Sequence, residues 1–288
     1  MFNHAKKHIF LFIITVFSFL AINVPYSVSS TIQTNEEITI HFIDVGQGDC
    51  IFIVLPSGEN ILVDVGSPSE GPKAVWYLKT IGVKRIDHLI LTHPDEDHIG
   101  GIFSILPEFK VLSFYDSGFS NFKSNIYGDY VKLIREDLSK YNILQAGETF
   151  HFGNIKIEVL NPLLPPTGNS NADSIVLRLI YGNIKILLAG DLEKLGERRL
   201  ISLGTELRSQ ILKVGHHGDN DASSDDFLRS VKPEIAIVSV GKINRYARPH
   251  QEVLDRLTQI GSKIFRTDIN GNIVIKIDGK SYSIKTEK

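Results

Sequence analysis

The chain has 288 residues, 42% of them hydrophobic and 22% charged, with a formal charge of −2. That length and composition provide for a sizeable core in one large domain or two small ones, while the near-neutral charge excludes bulk attraction to nucleic acid, so any such binding needs a local patch. Cys50 is the single cysteine, which excludes an intrachain disulfide and leaves metal ligation to histidine and carboxylate.

Lys6 and Lys7 precede an apolar run from Ile9 to Ile22, broken by Thr15 and Ser18, and Val28-Ser29-Ser30 is a small-residue cleavage site. This layout predicts a secretory signal peptide over residues 1–30, a mature domain over 31–288 and a secreted, extracellular protein with no stable membrane domain after cleavage. The run is shorter than the ~20 residues a spanning helix needs; an uncleaved N-terminal anchor with the domain facing outside is the alternative. Residues 31–37 read as a polar lead-in.

Ile38 to Val45 alternates like a strand, and Gly46-Gln47-Gly48-Asp49 is a turn. Cys50–Leu55 and Asn60–Val65 read as strands joined by the hairpin turn Pro56-Ser57-Gly58-Glu59. Pro72–Ile81 reads as a helix stopped by Gly82, and residues 86–92 as a buried strand. A helix is expected from Gly100-Gly101 to about Leu106. Residues 115–130 read as an aromatic loop with Tyr115, Phe119, Phe122, Tyr127 and Tyr130, followed by a helix over Tyr127–Tyr141. The second half reads as strands at 155–160, 174–181, 184–189, 210–215, 235–240, 263–266, 273–277 and 281–285. Helices at 193–203, 225–231 and 250–260 alternate with them. Both halves begin with strands and continue in strand–helix alternation, which predicts two similar α/β halves packed sheet to sheet, helices outside, with one site along a shared edge.

Polar clusters end several of these strands. His93-Pro94-Asp95-Glu96-Asp97-His98-Ile99-Gly100-Gly101 puts two imidazoles and three carboxylates into one turn, each a competent ligand for a borderline-to-hard divalent ion. Ile186-Leu187-Leu188-Ala189-Gly190-Asp191 carries one carboxylate to a sheet edge; its bland alternative is the N-cap of the 193–203 helix. Ile211-Leu212-Lys213-Val214-Gly215-His216-His217-Gly218 ends a strand in a tandem histidine between glycines, whose bland alternative is a solvated loop. Asp64, ending its own strand, is placed to orient a metal-binding histidine from behind. The segment 239–250 contributes Lys242, Asn244, Arg245, Tyr246, Arg248 and His250, an anion clamp or a solvated basic loop. His41, His88 and His151 read as structural.

Together these motifs resemble the metallo-β-lactamase superfamily, and within it the hydrolase domain of ComEC/Rec2-type DNA-uptake proteins. Phe42-Ile43-Asp44-Val45-Gly46-Gln47-Gly48-Asp49 looks like the opening signature of that branch, and residues 38–288 follow the family order. The resemblance implies a four-layer αββα sandwich and hydrolysis by a metal-bound hydroxide at one or two divalent ions, Zn²⁺ or Mn²⁺. It assigns His93 and Asp95 to one metal, Asp97 and His98 to the other, Asp191 to the bridge, and His217 or His216 to the second metal. Asp97, Asp191 and His216 are the expected catalytic residues, Asp97 alternatively as a general base. Two departures stand out. Asp95 stands where the superfamily usually has histidine, and no histidine lies between His151 and His216, where Asn171 or Ser174 occupies the region of a further ligand. Arg248 replaces a histidine usual in the branch. An oxygen-rich first position suits Mn²⁺ or Mg²⁺.

The expected function is a secreted metal-dependent phosphodiesterase or nuclease. Its partner is a phosphoester substrate, nucleic acid among the candidates, held by Lys242, Asn244, Arg245, Tyr246 and His250; the 115–130 aromatics could stack bases, but core or lid packing is the expected role for most of those rings. A phosphocholine esterase or another ester or lactone hydrolase of the same fold is one alternative, and a non-catalytic metal-containing binding module another.

Overall fold

Strand β1, Ile38–Phe42, buries Ile38, Ile40 and Phe42 on one face, as its alternation requires. It pairs antiparallel with β2 (Ile51–Val54), and β2 with β3 (Asn60–Val63), across the predicted hairpin turn. In this computed structural model residues 37–119, 125–135 and 141–288 are described; the leader and the polar stretch up to residue 36 lie outside them, as does Phe122.

Helix α1 (Gly71–Thr80) leads to β4 (Arg85–Ile90), which pairs parallel with β3. The helix expected after Gly100-Gly101 is the four-residue α3 (Ile102–Ile105), and another short helix, α2 (Glu96–Ile99), precedes it. Next come β5 (Lys110–Asp116), α4 (Asn125–Arg135) and β6 (Tyr141–Ile143), both strands parallel to their neighbours. The second half contains β7 (Thr149–Phe152), β8 (Ile155–Asn161), β9 (Val176–Tyr181), β10 (Ile184–Leu188) and α5 (Lys194–Ser202). It continues through β11 (Ile211–Lys213), α6 (Asp225–Val231), β12 (Ile235–Val238), α7 (Gln251–Gln259) and β13 (Lys263–Arg266). The short α8 (Thr267–Asn270) precedes β14 (Ile273–Ile277) and β15 (Tyr282–Thr286).

The strands form two sheets, ordered β15-β14-β1-β2-β3-β4-β5-β6 and β13-β12-β11-β10-β9-β8-β7. One apolar cluster fills the space between them, with Ile40, Ile53 and Ile61 from the first sheet and Ile157, Leu177 and Ile186 from the second. A second cluster packs the outer face of the first sheet, through Phe52, Leu62 and Leu89, on Ala74, Leu78 and Ile102 of α1 and α3. A third packs Leu187, Leu212 and Ala236 on Leu200, Phe227, Leu228, Val253 and Leu257 of α5, α6 and α7. The result is the expected αββα sandwich, each central strand apolar on both faces.

Two expectations need correction. The stretch read as loop over 115–130 is in part regular structure: β5 runs through Asp116, and the following helix spans Asn125–Arg135 among the described residues, with Tyr141 already in β6. The halves are not separate in sequence either, because β14 crosses back to pair with β1, Ile38 opposite Ile277. Core packing, expected for most of the 115–130 rings, is seen at Tyr130, buried with its hydroxyl on Asp116, and at Tyr115, which packs edge-on against Phe150. Among the described residues no helix is long and apolar enough to cross a membrane.

Candidate metal centre

In each sheet the parallel strands β3-β4-β5 and β10-β11-β12 deliver their carboxyl ends to the same edge of the sandwich, where open α/β sheets place their sites. Asp64 follows β3, His93 to His98 follow β4, Asp191 follows β10, and His216-His217 follow β11. The close approach of the Gly46–Asp49 turn depends on Gly48. At φ +112° a side chain there would be strained, and its Cβ would stand 2.0 Å from the Asp97 carbonyl. Asp64, His216 and His217 themselves hold left-handed backbone, φ 56°, 49° and 54°. Such conformations in non-glycine residues persist where surrounding contacts over-determine them, as at functional sites.

Asp191 is the hub. Its Oδ2 lies 3.2 Å from His98 Nε2, 3.5 Å from His217 Nε2, 3.7 Å from His216 Nε2 and 3.8 Å from His93 Nε2. Asp97 lies 3.4 Å from His217 Nε2 and 4.0 Å from His98 Nε2, and Asp95 lies 3.8 Å from His93 Nε2. Asp191 does not cap α5, whose N-cap is Glu193; its backbone N–H donates instead to Ser174 Oγ at 3.3 Å.

One carboxylate orients much of this set. Asp64, fully buried, accepts from His98 Nδ1 at 2.8 Å and from the Thr92 amide and hydroxyl at 2.8 and 2.7 Å. The Thr92 hydroxyl in turn lies 3.1 Å from His93 Nδ1. His217 Nδ1 donates to the Ser239 carbonyl at 2.9 Å. With each Nδ1 engaged, the Nε2 atoms of His93, His98 and His217 are buried without a hydrogen-bond partner, as is Asp191 Oδ1. Orphaned buried polar atoms demand an explanation. Their mutual spacing is that of atoms sharing ions at ~2.0–2.2 Å. Among the triads whose ligand atoms lie close enough to hold a divalent ion are His93-His98-Asp191 and Asp97-His98-His217, which share His98.

The electrostatics agree. Burial opposes charge on His98 and His217, yet Asp191 and Asp64 outweigh it at His98, holding that ring well above its usual value, and Asp191, Asp97 and Asp49 push His217 up to about 9. Burial raises Asp191 and Asp97, but the neighbouring imidazoles win and hold both carboxylates below the ordinary range. His93 goes the other way, lowered to about 4 by burial and by His98. A cation is therefore welcome where these carboxylates converge, and bound metal supplies it in place of protons.

The remaining expected residues fall into two groups. Arg245 and Tyr246 face Asp95 and Asp97 across a groove of about 670 Å³. Lys242 is exposed, in the wall of an adjoining cavity, and Asn244 is occupied inside its own loop, donating to the carbonyls of Gly241 and Arg248 at 3.0 and 2.9 Å. His250 Nδ1 accepts the Asn220 amide at 2.9 Å, so neither Asn244 nor His250 offers those groups to a ligand. Several neighbours escaped the sequence reading. Ser170 donates to Asp95 at 3.1 Å, Gln47 to Asp97 at 3.3 Å, and Asp221 engages His216 Nδ1 at 3.0 Å. Arg248 lies 2.7 Å from His216 Nε2 and donates to Asp219 at 2.6 Å, while its guanidinium and that of Arg245 stack on Tyr246. Of these, Gln47 had a signal in the Gly46–Asp49 turn, and Arg248 already stood out in the 239–250 segment. Asn171 Nδ2 lies 3.3 Å from His216 Nε2 and donates to Glu193 at 2.9 Å.

Residues 43–242 match the family described as the metallo-beta-lactamase superfamily. The chain belongs to that superfamily. It is a ComEC/Rec2-like member: it is 32% identical to ComE operon protein 3 of Bacillus subtilis over 83% of this chain and 33% of that protein. It is 31% identical to competence protein ComA of Neisseria gonorrhoeae (82% of this chain, 32% of that one) and 30% identical to recombination protein 2 of Haemophilus influenzae (80% and 28%). The chain thus spans about a third of the length of these relatives. The metallo-beta-lactamase fold protein YhfI from Bacillus subtilis superposes with a TM-score of 0.56 at 13% identity, over 84% of this chain and 99% of that one, a likeness of fold alone. Membership of this superfamily makes the chain, at a general level, a metal-dependent hydrolase.

Proposed function

We propose that this superfamily member is a phosphodiesterase acting on nucleic acid, with Asp97, His98, His217 and Asp191 holding one ion and His93, Asp95 and Asp191 holding another. The observation that carries the reading is the groove itself. Asp95, a hard oxygen donor in place of a histidine, lines one wall, and the Arg245-Tyr246 pair lines the other. Hard oxygen ligands suit ions that bind phosphate oxygens, and guanidinium groups match phosphate geometry with paired donors. A divalent ion bound there supplies Lewis acidity and an activated water. The chain's own residues do the rest. Asp64 and Ser239 fix the imidazoles, Gln47 steadies Asp97, and Arg245 and Tyr246 receive the phosphate and its neighbouring base. Arg248, bridging His216 and Asp219, sets the far end of the wall. The leader-like residues 1–30 support export, which N-terminal sequencing of protein recovered from the culture medium tests.

The purified protein supplied with Mn²⁺ is expected to cleave bis(p-nitrophenyl) phosphate and single-stranded DNA, and to stop when EDTA is added. Absence of EDTA-sensitive cleavage of both substrates refutes the proposal. Cleavage of a choline phosphoester or a lactone in their place moves the assignment to another branch of the same fold.

A further inference from the structure

Lys213, the last residue of β11, is completely buried among the site-forming segments. Buried lysines are rare unless every donor is satisfied and the charge is paired. Both conditions hold. Its ammonium meets Asp49 Oδ2 at 2.7 Å and donates to the carbonyls of Val214 at 2.9 Å and Gly190 at 3.3 Å. Each acceptor belongs to a different segment of the metal centre. Asp49 closes the turn that carries Gln47 and Gly48 against Asp97, Gly190 directly precedes Asp191, and Val214 precedes the Gly215–Gly218 turn. A further bond, His216 N–H to Gly190 carbonyl at 3.2 Å, joins the last two.

We infer that Lys213 is a positioning residue for the metal centre: its ammonium holds Asp191, the His216-His217 turn and the Asp49 turn in their ligating arrangement before any ion arrives. The turn it anchors needs such a fixture, because His216 and His217 are consecutive non-glycine residues in left-handed conformation, a geometry that reverts unless the surroundings enforce it. Asp49 has its place in the same device. Its Oδ2 is taken by the ammonium, and its Oδ1, buried and unpartnered, stands 3.8 Å from His217 Nδ1. The pair also crosses the sandwich, since Asp49 belongs to the β1–β2 connection of the first sheet and Lys213 to the second. The two halves of the ligand set are thereby locked to each other by one fully desolvated contact.

The inference concerns metal binding and stands whatever the substrate. Its test is a calorimetric Mn²⁺ titration of Lys213→Gln, which keeps amide donors and removes the charge, beside the wild-type protein, with folding followed by circular dichroism. A positioning role predicts a folded variant whose Mn²⁺ affinity is at least about tenfold weaker, the scale on which groups behind metal ligands act. The double variant Lys213→Met, Asp49→Leu removes both charges, the change that restores stability when a buried pair only staples the fold. It is expected to melt near the wild-type temperature and still bind Mn²⁺ weakly. Wild-type affinity in either folded variant overturns the inference. A rise in affinity in Lys213→Gln also overturns it, since Asp49 would then be a ligand held back by Lys213. So does failure of both variants to fold, which would make the pair a staple of the whole domain.

Discussion

The two ends of the metal centre are built differently. Around Asp97, His98, His217 and Asp191 the imidazoles are fully buried, each Nδ1 is fixed by a carboxylate or carbonyl, and both flanking carboxylates are held ionised. Around His93 and Asp95 the supports thin out. Asp95 is partly buried, as Asp97 is, but burial raises its carboxyl above the ordinary value, and its hydrogen bond is to the Ser170 hydroxyl. His93 is oriented through a threonine rather than directly by a carboxylate. One position is thus prepared for an ion in advance, whereas the other, the open end, is oxygen-rich and less firmly held; Asp95 and Asp97 both line the groove. Preparation costs strained backbone at Asp64, His216 and His217; openness leaves room for a substrate oxygen.

The largest effect is expected where the two ends meet. Asp191→Asn keeps the shape of the hub and removes its charge, so both positions weaken together. Turnover should fall by roughly 10³-fold or more, the scale of losing a group at the reacting centre, and metal analysis after dialysis should show both ions depleted. Loss of one ion alone would assign Asp191 to a single position. Next comes Asp64→Asn, which acts only from behind. It should weaken metal binding by about 10–100-fold, first at the prepared end, because His98 loses its direct acceptor while His93 is reached through Thr92. Equal loss at both ends would erase the difference between them. Asp95→His is the complementary change: with an imidazole there, zinc retention against manganese should rise in metal analysis, and an unchanged preference would show that the open end does not set the metal.

Protons probe the same contrast. With no metal, Asp191 and Asp64 favour the protonated ring at His98 and Asp191 pushes His217 up to about 9, whereas burial lowers His93 to about 4. Metal entering the prepared end must displace those protons, so its affinity rises with pH up to about 9, the value to which His217 is pushed. The sign for stability is opposite. A ring raised from 6.5 to about 9 stabilises the metal-free fold fully below pH 6.5, and that contribution is lost as the pH climbs through about 9. The gap in melting temperature between Mn²⁺-loaded and EDTA-treated protein should therefore widen from pH 6.5 to 9. A constant gap would mean that His217 is neutral before metal binds.

Much of this was legible from residue pattern. The two-faced apolar strands around β2, β3 and β10 announced a sandwich buried on both sides, and the clusters after β4, β10 and β11 announced where its edge would carry chemistry. The short edge strands β6 and β7 were not legible, because three or four half-exposed residues carry too little periodicity to show. Nor was the return of β14 to β1, a pairing between residues more than two hundred positions apart. Within the site, Lys213 escaped notice because nothing in a sequence distinguishes a buried lysine from an exposed one. Arg248, Asp219 and Asp221 matter through contacts that only the fold creates. The sequence likewise did not show that the Asn244 amide is bonded inside its own loop, to Gly241 and Arg248, or that His250 Nδ1 accepts the Asn220 amide.

The smallest expected effect tests the open end from the substrate's side. Arg245 is exposed, and its guanidinium donates to the Tyr246 hydroxyl at 2.6 Å while stacking on the same ring. An exposed cation contributes about 1 kcal/mol or less to an ionic contact, so Arg245→Ala should raise KM for single-stranded DNA by about two- to fivefold. The value of kcat should stay near that of the wild-type protein, because Arg245 touches none of the buried ligands. The effect should shrink as salt is raised, since screening at an exposed site removes what the charge contributed. For bis(p-nitrophenyl) phosphate, which has no flanking nucleotides to reach the groove wall, KM should barely move. A fall in kcat with KM unchanged would instead place Arg245 at the reacting centre. That outcome would make the open end as finely built as the prepared one.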